Sequence, residues 1–145
     1  MIESIPLPAT DDLQDAPFWQ ATVRGELAVQ CCNRCGKLRF PPRVMCPACQ
    51  SFENTWKPLS GKGTIWSYVI PHPPLLPSFA RLVPYNVIIV ELDEDPTIRM
   101  VGNLVESADG EINEIDPHTI QIGAPVRVVF HRAAADVMLP RWVLA

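Results

Sequence analysis

Cys32-Asn33-Arg34-Cys35-Gly36 and Cys46-Pro47-Ala48-Cys49 are the stretches whose reading decides the fold. A Cys-x-x-Cys pair suits a tight knuckle that offers two thiolates to one ion. Two such knuckles, ten residues apart, complete the four-sulfur tetrahedron that Zn²⁺ favours. Gly36 stands where a knuckle needs positive φ, and Pro47 sits inside the second pair. The reading is a Cys₄ zinc ribbon with Cys32, Cys35, Cys46 and Cys49 as ligands.

Four protein ligands leave no position open for water or substrate, so the expected role of the zinc is structural. Iron in the same S₄ geometry is the redox alternative, and metal analysis separates the two. Cys31 is the odd cysteine. Using it in place of Cys32 would break the symmetry of the two knuckles, so it is read as a half-buried spectator.

Outward from the ribbon, 145 residues with 48% apolar content suffice for one ordinary domain with a real core. Met1 to Asp15 has no basic region and several acids, so no leader is expected. The longest apolar runs, such as Val87-Ile88-Ile89-Val90, are strand-sized, which argues against a membrane span. Paired thiols at metal spacing fit a reducing, cytoplasmic setting. The overall charge is −4, yet Arg34, Lys37, Arg39, Arg43, Lys57 and Lys62 stand against Glu53 alone between Cys31 and Lys62, a local net of +5. A basic ribbon on an acidic body points to a local anion site rather than a general nucleic-acid surface.

Asp11 or Asp12 is placed to cap a helix running to about Arg24, with Ala16, Trp19 and Val23 on one face and Phe18 beside them. Residues 1–10 read as an unstructured or partner-bound tail. Leu27–Gln30 and Leu38–Phe40 are short hairpin strands around the first knuckle. Beyond Trp56–Leu59 the pattern changes to five runs rich in β-branched and aromatic residues: Thr64–Ile70, Tyr85–Asp93, Thr97–Val105, Val126–Arg132 and Val137–Leu144. Glu94-Asp95-Pro96 reads as a hairpin turn, and Asp116-Pro117 as the start of a short connection. Five antiparallel strands with a longer insertion before the fourth match a small OB-type barrel. The expected fold is therefore mainly β, with an N-terminal tail and helix over 1–26, a zinc ribbon over 27–58 and a five-stranded OB barrel over 59–145. Pro71–Pro84 holds five prolines and reads as a stiffened loop whose Leu75, Leu76, Phe79 and Leu82 either cap the barrel or meet a partner.

No catalytic set emerges. His72, His118 and His131 are scattered outside any nucleophile or metal motif. Glu91, Asp93, Glu94 and Asp95 fall at a strand end and turn, where exposed acids are routine. Gly61-Lys62-Gly63 lacks the helix and full pattern of a phosphate loop. Trp66 and Tyr68 raise single-stranded nucleic-acid binding on an OB barrel, but the barrel segments are net acidic.

The order of parts resembles the DUF35 family, through Phe18-Trp19, Cys32-Asn33-Arg34-Cys35-Gly36, Phe40-Pro41-Pro42-Arg43, Cys46-Pro47-Ala48-Cys49, Gly61-Lys62-Gly63-Thr64-Ile65, Pro84-Tyr85, Glu91-Leu92-Asp93-Glu94 and Gly123-Ala124-Pro125-Val126. The resemblance spans roughly residues 13 to 144 and implies a rubredoxin-like zinc ribbon plus OB-fold, associated with acyl-CoA chemistry. It implies an accessory subunit in a hetero-oligomer with a thiolase-superfamily enzyme of the thiolase, acyltransferase or steroid side-chain aldolase type. A hotdog-fold enoyl-CoA hydratase is the alternative partner. On that reading Arg34, Lys37, Arg39, Arg43 and Lys62 attract the phosphates of a CoA thioester. Phe18, Trp19, Leu75, Leu76 and Phe79 supply docking surface, and catalysis belongs to the partner.

Overall fold

The computed structural model describes residues 4–145, so the first three residues of the expected tail lie outside the described part. The chain opens with a helix, α1 (Ala16–Val23), followed by the ribbon strands β1 (Leu27–Cys32), β2 (Leu38–Arg39) and β3 (Asn54–Leu59). The barrel follows: β4 (Lys62–Val69), a four-residue helix α2 (Pro77–Ala80), β5 (Val87–Leu92), β6 (Asp95–Gly102), β7 (Pro125–Ala134) and β8 (Val137–Leu144).

α1 starts later and turns a different face inward than its apolar spacing suggests. The backbone N–H groups of Asp15 and Ala16 both donate to the Asp12 carbonyl, which makes a turn ahead of the helix proper. Phe18, Ala21 and Thr22 are the buried side chains, whereas Val23 is 45% exposed. Thr22 tolerates burial because its hydroxyl donates to the Trp19 carbonyl at 2.8 Å. Gly25, at φ +76°, closes the helix: its N–H reaches the Thr22 carbonyl while that of Glu26 reaches Ala21.

The ribbon sheet has the order β2-β1-β3 and the barrel sheet β6-β5-β4-β7-β8. Trp56–Leu59, read as a lead-out, belongs to a full strand paired along β1 from Leu27↔Leu59 to Cys32↔Asn54. Pro58 is tolerated there because β3 is an edge strand. The same reasoning shifts the barrel hairpin. Asp93 and Glu94 form the turn, and Asp95-Pro96 begins β6, also an edge, where the missing N–H is not called on.

The chain beyond β6 returns to β8 through a parallel bridge, Leu104↔Trp142. Trp142 donates its N–H to the Asn103 carbonyl at 3.0 Å and accepts from Val105 at 2.8 Å. Asn86 fixes this closure from inside: its fully buried amide donates to the Leu104 carbonyl at 2.9 Å and accepts from the Leu104 N–H at 2.7 Å. Strand order and parallel closure together are those of an OB-like barrel, bonded along only part of its seam.

One core serves both sheets. Phe18, Leu27 and Val29 from the helix and ribbon pack in the same buried cluster as Ile65, Ile88, Val90 and Trp142 from the barrel. A smaller cluster, Tyr85, Val105, Ile112 and Val143, is covered by Leu75, Phe79, Leu82 and Val83 of the Pro71–Pro84 segment, so that segment caps the barrel.

Candidate metal centre

The two knuckles are built alike. In the first, the Gly36 N–H donates to the Cys32 carbonyl and the Cys32 N–H to Lys37; in the second, Gln50 donates to Cys46 and Cys46 to Ser51, all four at 2.9 Å. Both need a left-handed residue at the fifth position, supplied by Gly36 at φ +75° and by Gln50 at φ +64°. A Cβ on Gly36 would meet nothing within 4 Å, so a substitution there costs conformation alone. Gly36→Ala is expected to lose about 1 kcal/mol, and Gln50→Gly to be neutral or gain up to about 1 kcal/mol. Urea midpoints of the zinc-loaded protein check both.

The four Sγ atoms lie within 4.8 Å of one another. Cys32 and Cys49 are 3.5 Å apart, and Cys35 and Cys46 3.6 Å. A tetrahedron with Zn–S bonds of about 2.3 Å has edges of roughly 3.8 Å, so the residues fit the ion with only small adjustment. Cys31 is half-buried and outside the group, its thiol nearest the Gly36 carbonyl at 3.7 Å. Cys32, Cys35, Cys46 and Cys49 would hold a structural zinc, whose chemistry here would be to fix the two knuckles together.

The knuckle backbone prepares the sulfurs. The Cys35 N–H, with help from the Arg34 N–H and the Cys49 and Cys35 thiols, lowers the Cys32 thiol to about 6 against the pull of burial. The Cys46 thiol is also lowered, first by the Cys49 N–H. For Cys35 the Lys37 N–H acts downward, but burial and the thiols of Cys46, Cys49 and Cys32 outweigh it and push the group up to about 11. A lowered thiol favours its thiolate above its folded value and loses that form as pH falls through it. Zinc binding at pH 8 should therefore release fewer than four protons, the count rising toward four below pH 6. Indicator-dye titration of apo-protein with zinc counts them.

The five candidate cations differ in exposure. Arg34 and Lys37 are exposed around the first knuckle, and Arg43 and Lys62 are exposed elsewhere. Lys37 lies near enough to Asp95 to assist in lowering that carboxyl, after the hydroxyl of Thr97, which donates to it at 2.6 Å. Arg39 is 5% exposed. Its Nε donates to the Gln30 side-chain oxygen at 2.8 Å and one Nη to the Arg43 carbonyl at 3.1 Å, bracing the ribbon hairpin from within. Of the docking candidates, Phe18 is in the core, where it packs against Trp19 and Phe40. Trp19, Leu75 and Phe79 are half-buried, and Leu76 is 58% exposed.

Sequence reasoning passed over a groove of about 570 Å³ beside the ribbon, lined by Leu13, Val44, Phe52 and Trp56 among others. Leu13 is 94% and Phe52 68% exposed. The available signal was their isolation: neither fits a strand or helix period. The residues of the catalytic search have local tasks. His118 sits against Asp116 at 3.1 Å and His131 against the Ala108 carbonyl at 3.1 Å. Glu91 pairs with Arg99, and Glu94 accepts from the Ser60 N–H and hydroxyl. Gly61 and Gly63 serve packing, since a Cβ would come within 2.5 Å of Val128 in one case and of the Glu91 carbonyl in the other. One face of Trp66 is covered by the Arg99 guanidinium, 3.7 Å from the ring centre.

Residues 19–55 match the family described as "ChsH2, rubredoxin-like zinc ribbon domain", and residues 56–131 the one described as "ChsH2, C-terminal OB-fold domain". A "DUF35 domain-containing scaffold protein" of Methanothermobacter thermautotrophicus is 36% identical over 106 residues, covering 72% of this chain and 71% of that protein. The chain belongs to the DUF35 family. Another relative, named "Probable enoyl-CoA hydratase alpha subunit" in Thermomonospora curvata, is 37% identical over 136 residues. The chain spans only 38% of the length of that curated relative, against 93% of its own. Among solved structures, one described as "Ltp2-ChsH2(DUF35) aldolase" superposes with a TM-score of 0.79 at 33% identity, covering 94% of this chain and 98% of the other. No helix among the described residues is long and apolar enough to cross a membrane.

Proposed function

We propose that this DUF35 chain is a non-catalytic accessory subunit of a cytoplasmic acyl-CoA-processing complex, docked on a thiolase-superfamily enzyme and helping to bind or channel the CoA thioester. The observation that carries the reading is its likeness, over nearly its whole length, to the solved protein whose description couples Ltp2 with ChsH2(DUF35) as an aldolase. Exposed apolar side chains support docking: Leu76 on the Pro-rich cap, and the groove formed by Leu13, Val44 and Phe52. Exposed Arg34, Lys37, Arg43 and Lys62 are the residues offered to CoA phosphates, while Arg39 is committed to the hairpin interior.

A second reading replaces the thiolase-like partner by a hydratase, favoured by the name of the Thermomonospora relative. Tagged protein recovered from its own cells, with mass spectrometry of whatever co-elutes at equal stoichiometry, decides between them. A thiolase-superfamily subunit supports the first reading, a hotdog-fold enzyme the second, and recovery of the chain alone defeats both. Reversal of Arg34 and Lys37 to Glu is expected to raise the Kd of the complex for CoA at least tenfold, read by calorimetry. An unchanged Kd removes these residues from the phosphate role.

A further inference from the structure

We propose that residues 4–10 form a displaceable strap that closes the cleft beside the β6–β8 seam, with Ile5 as its latch. The inference concerns this chain alone and depends on neither the partner nor the ligand proposed above.

The sequence leaves this segment as an unstructured or partner-bound tail, but the structure lays it against the molecule's own barrel. Ile5 and Pro6 wall a hollow of about 450 Å³ together with Val101 of β6, Leu139 and Pro140 of β8 and Phe79 of α2. Ser4, Ile5 and Leu7 wall a second hollow of about 330 Å³, which also carries Arg81, Asp109, Glu111 and His131. Ile5 belongs to both hollows, as do Leu139 and Arg141 of β8. The strap therefore runs where an apolar compartment meets a charged one. Lifting it would remove a wall from each at once.

The strap is held by apolar contact. Among the described residues, no hydrogen bond or ion pair involves residues 4–11, and Pro6 and Pro8 have no N–H to offer. Ile5 and Pro8 are half-buried, whereas Leu7 is 49% exposed. None of them belongs to either core cluster, so the barrel does not rely on the strap to fold. The chain is fixed again only at its entry to α1, where the Asp12 carbonyl accepts from Asp15 and Ala16. There Gln14 Nε2 also donates to the Pro42 carbonyl at 2.7 Å, tying the chain to the ribbon. Everything ahead of that anchor can swing as one piece. Burial of half an isoleucine, set against an ordering entropy that two prolines reduce, favours the closed strap by roughly tenfold. A cover held so weakly opens spontaneously and admits other molecules to the cleft in its open fraction.

The test reads access to the cleft with the anionic dye anilinonaphthalene sulfonate, titrated into the zinc-loaded chain. Ile5→Glu removes the latch without touching the core. It should raise dye fluorescence about fivefold, as the open fraction grows from roughly one-tenth to more than half. An added carboxylate by itself disfavours an anionic dye, so charge cannot produce that rise. Ala9→Glu places the same charge at an exposed strap position outside both hollows, and should leave the signal unchanged. Far-UV circular dichroism should be the same for all three chains, which separates opening from unfolding. Amide order parameters of Leu7 and Ala9 should stay above about 0.6 in the unaltered chain and fall below it in Ile5→Glu. Ile5→Leu, which keeps the apolar contact, should retain the closed values of both readouts. Equal dye fluorescence from the unaltered and Ile5→Glu chains, or an equal rise with Ala9→Glu, overturns the latch. Order parameters already below about 0.6 in the unaltered chain overturn the strap itself. Since the dye and the relaxation data report on the isolated chain, these outcomes are distinct from a failure of partner capture or of the Arg34/Lys37 reversal.

Discussion

Cys46→Ser is expected to leave the purified chain with no bound zinc, against one ion per unaltered chain, and to unfold the ribbon. Cys46 is wholly buried, so no solvent ligand can take its place. Metal binding to such sites is worth on the order of 10 kcal/mol or more, comparable with the whole folding margin of a chain this size, about 5–15 kcal/mol. A ribbon of about thirty residues cannot make good that loss from its own core. Hydrogen exchange should show β1, β2 and β3 losing protection first, and the melting temperature should fall by more than 10 °C. Metal analysis of the unaltered protein should find zinc without iron or a visible charge-transfer band. Retained zinc in the variant, with an unchanged melt, would refute the Cys₄ assignment.

Trp142→Ala ranks next. Its side chain is 1% exposed and belongs to the core cluster shared by α1, the ribbon and the barrel. Truncating a buried tryptophan costs about 3–5 kcal/mol, from lost transfer energy and the cavity left behind. At about 2–4 °C per kcal/mol for a chain this size, the melting temperature should drop by roughly 10 °C. The backbone bonds of Trp142 to Asn103 and Val105 do not depend on the side chain. A circular-dichroism melt measures the whole effect, and Trp142→Phe should recover part of it. A drop below about 3 °C would mean that the ring contributes little to closing the seam.

The metal site was the most legible part of the sequence, because knuckle chemistry is local: ligand spacing and a left-handed residue lie within a few positions. The barrel strands were nearly as readable, since β-branched runs between turn residues carry their own signal. What the residues did not disclose were the contacts that depend on distant register. The Leu104↔Trp142 bridge joins positions far apart in sequence, and no local pattern announces it. Arg39 looked like one exposed cation among several. Its burial follows from facing Gln30 directly across the β1–β2 hairpin, a register that the first knuckle could have fixed. The face of α1 was misjudged because Thr22 can satisfy its hydroxyl on its own helix, so polarity was a poor guide to which side faces inward.

The position of α1 reaches further than packing. Its residues precede the ribbon in sequence yet pack on β8, the last strand of the barrel. A recombination event that moved the barrel alone into another protein would carry it away without the helix that covers its seam. Ribbon and barrel, although distinct as sheets, are therefore poor units for separate exchange. Inheritance should favour transferring them together, first helix included.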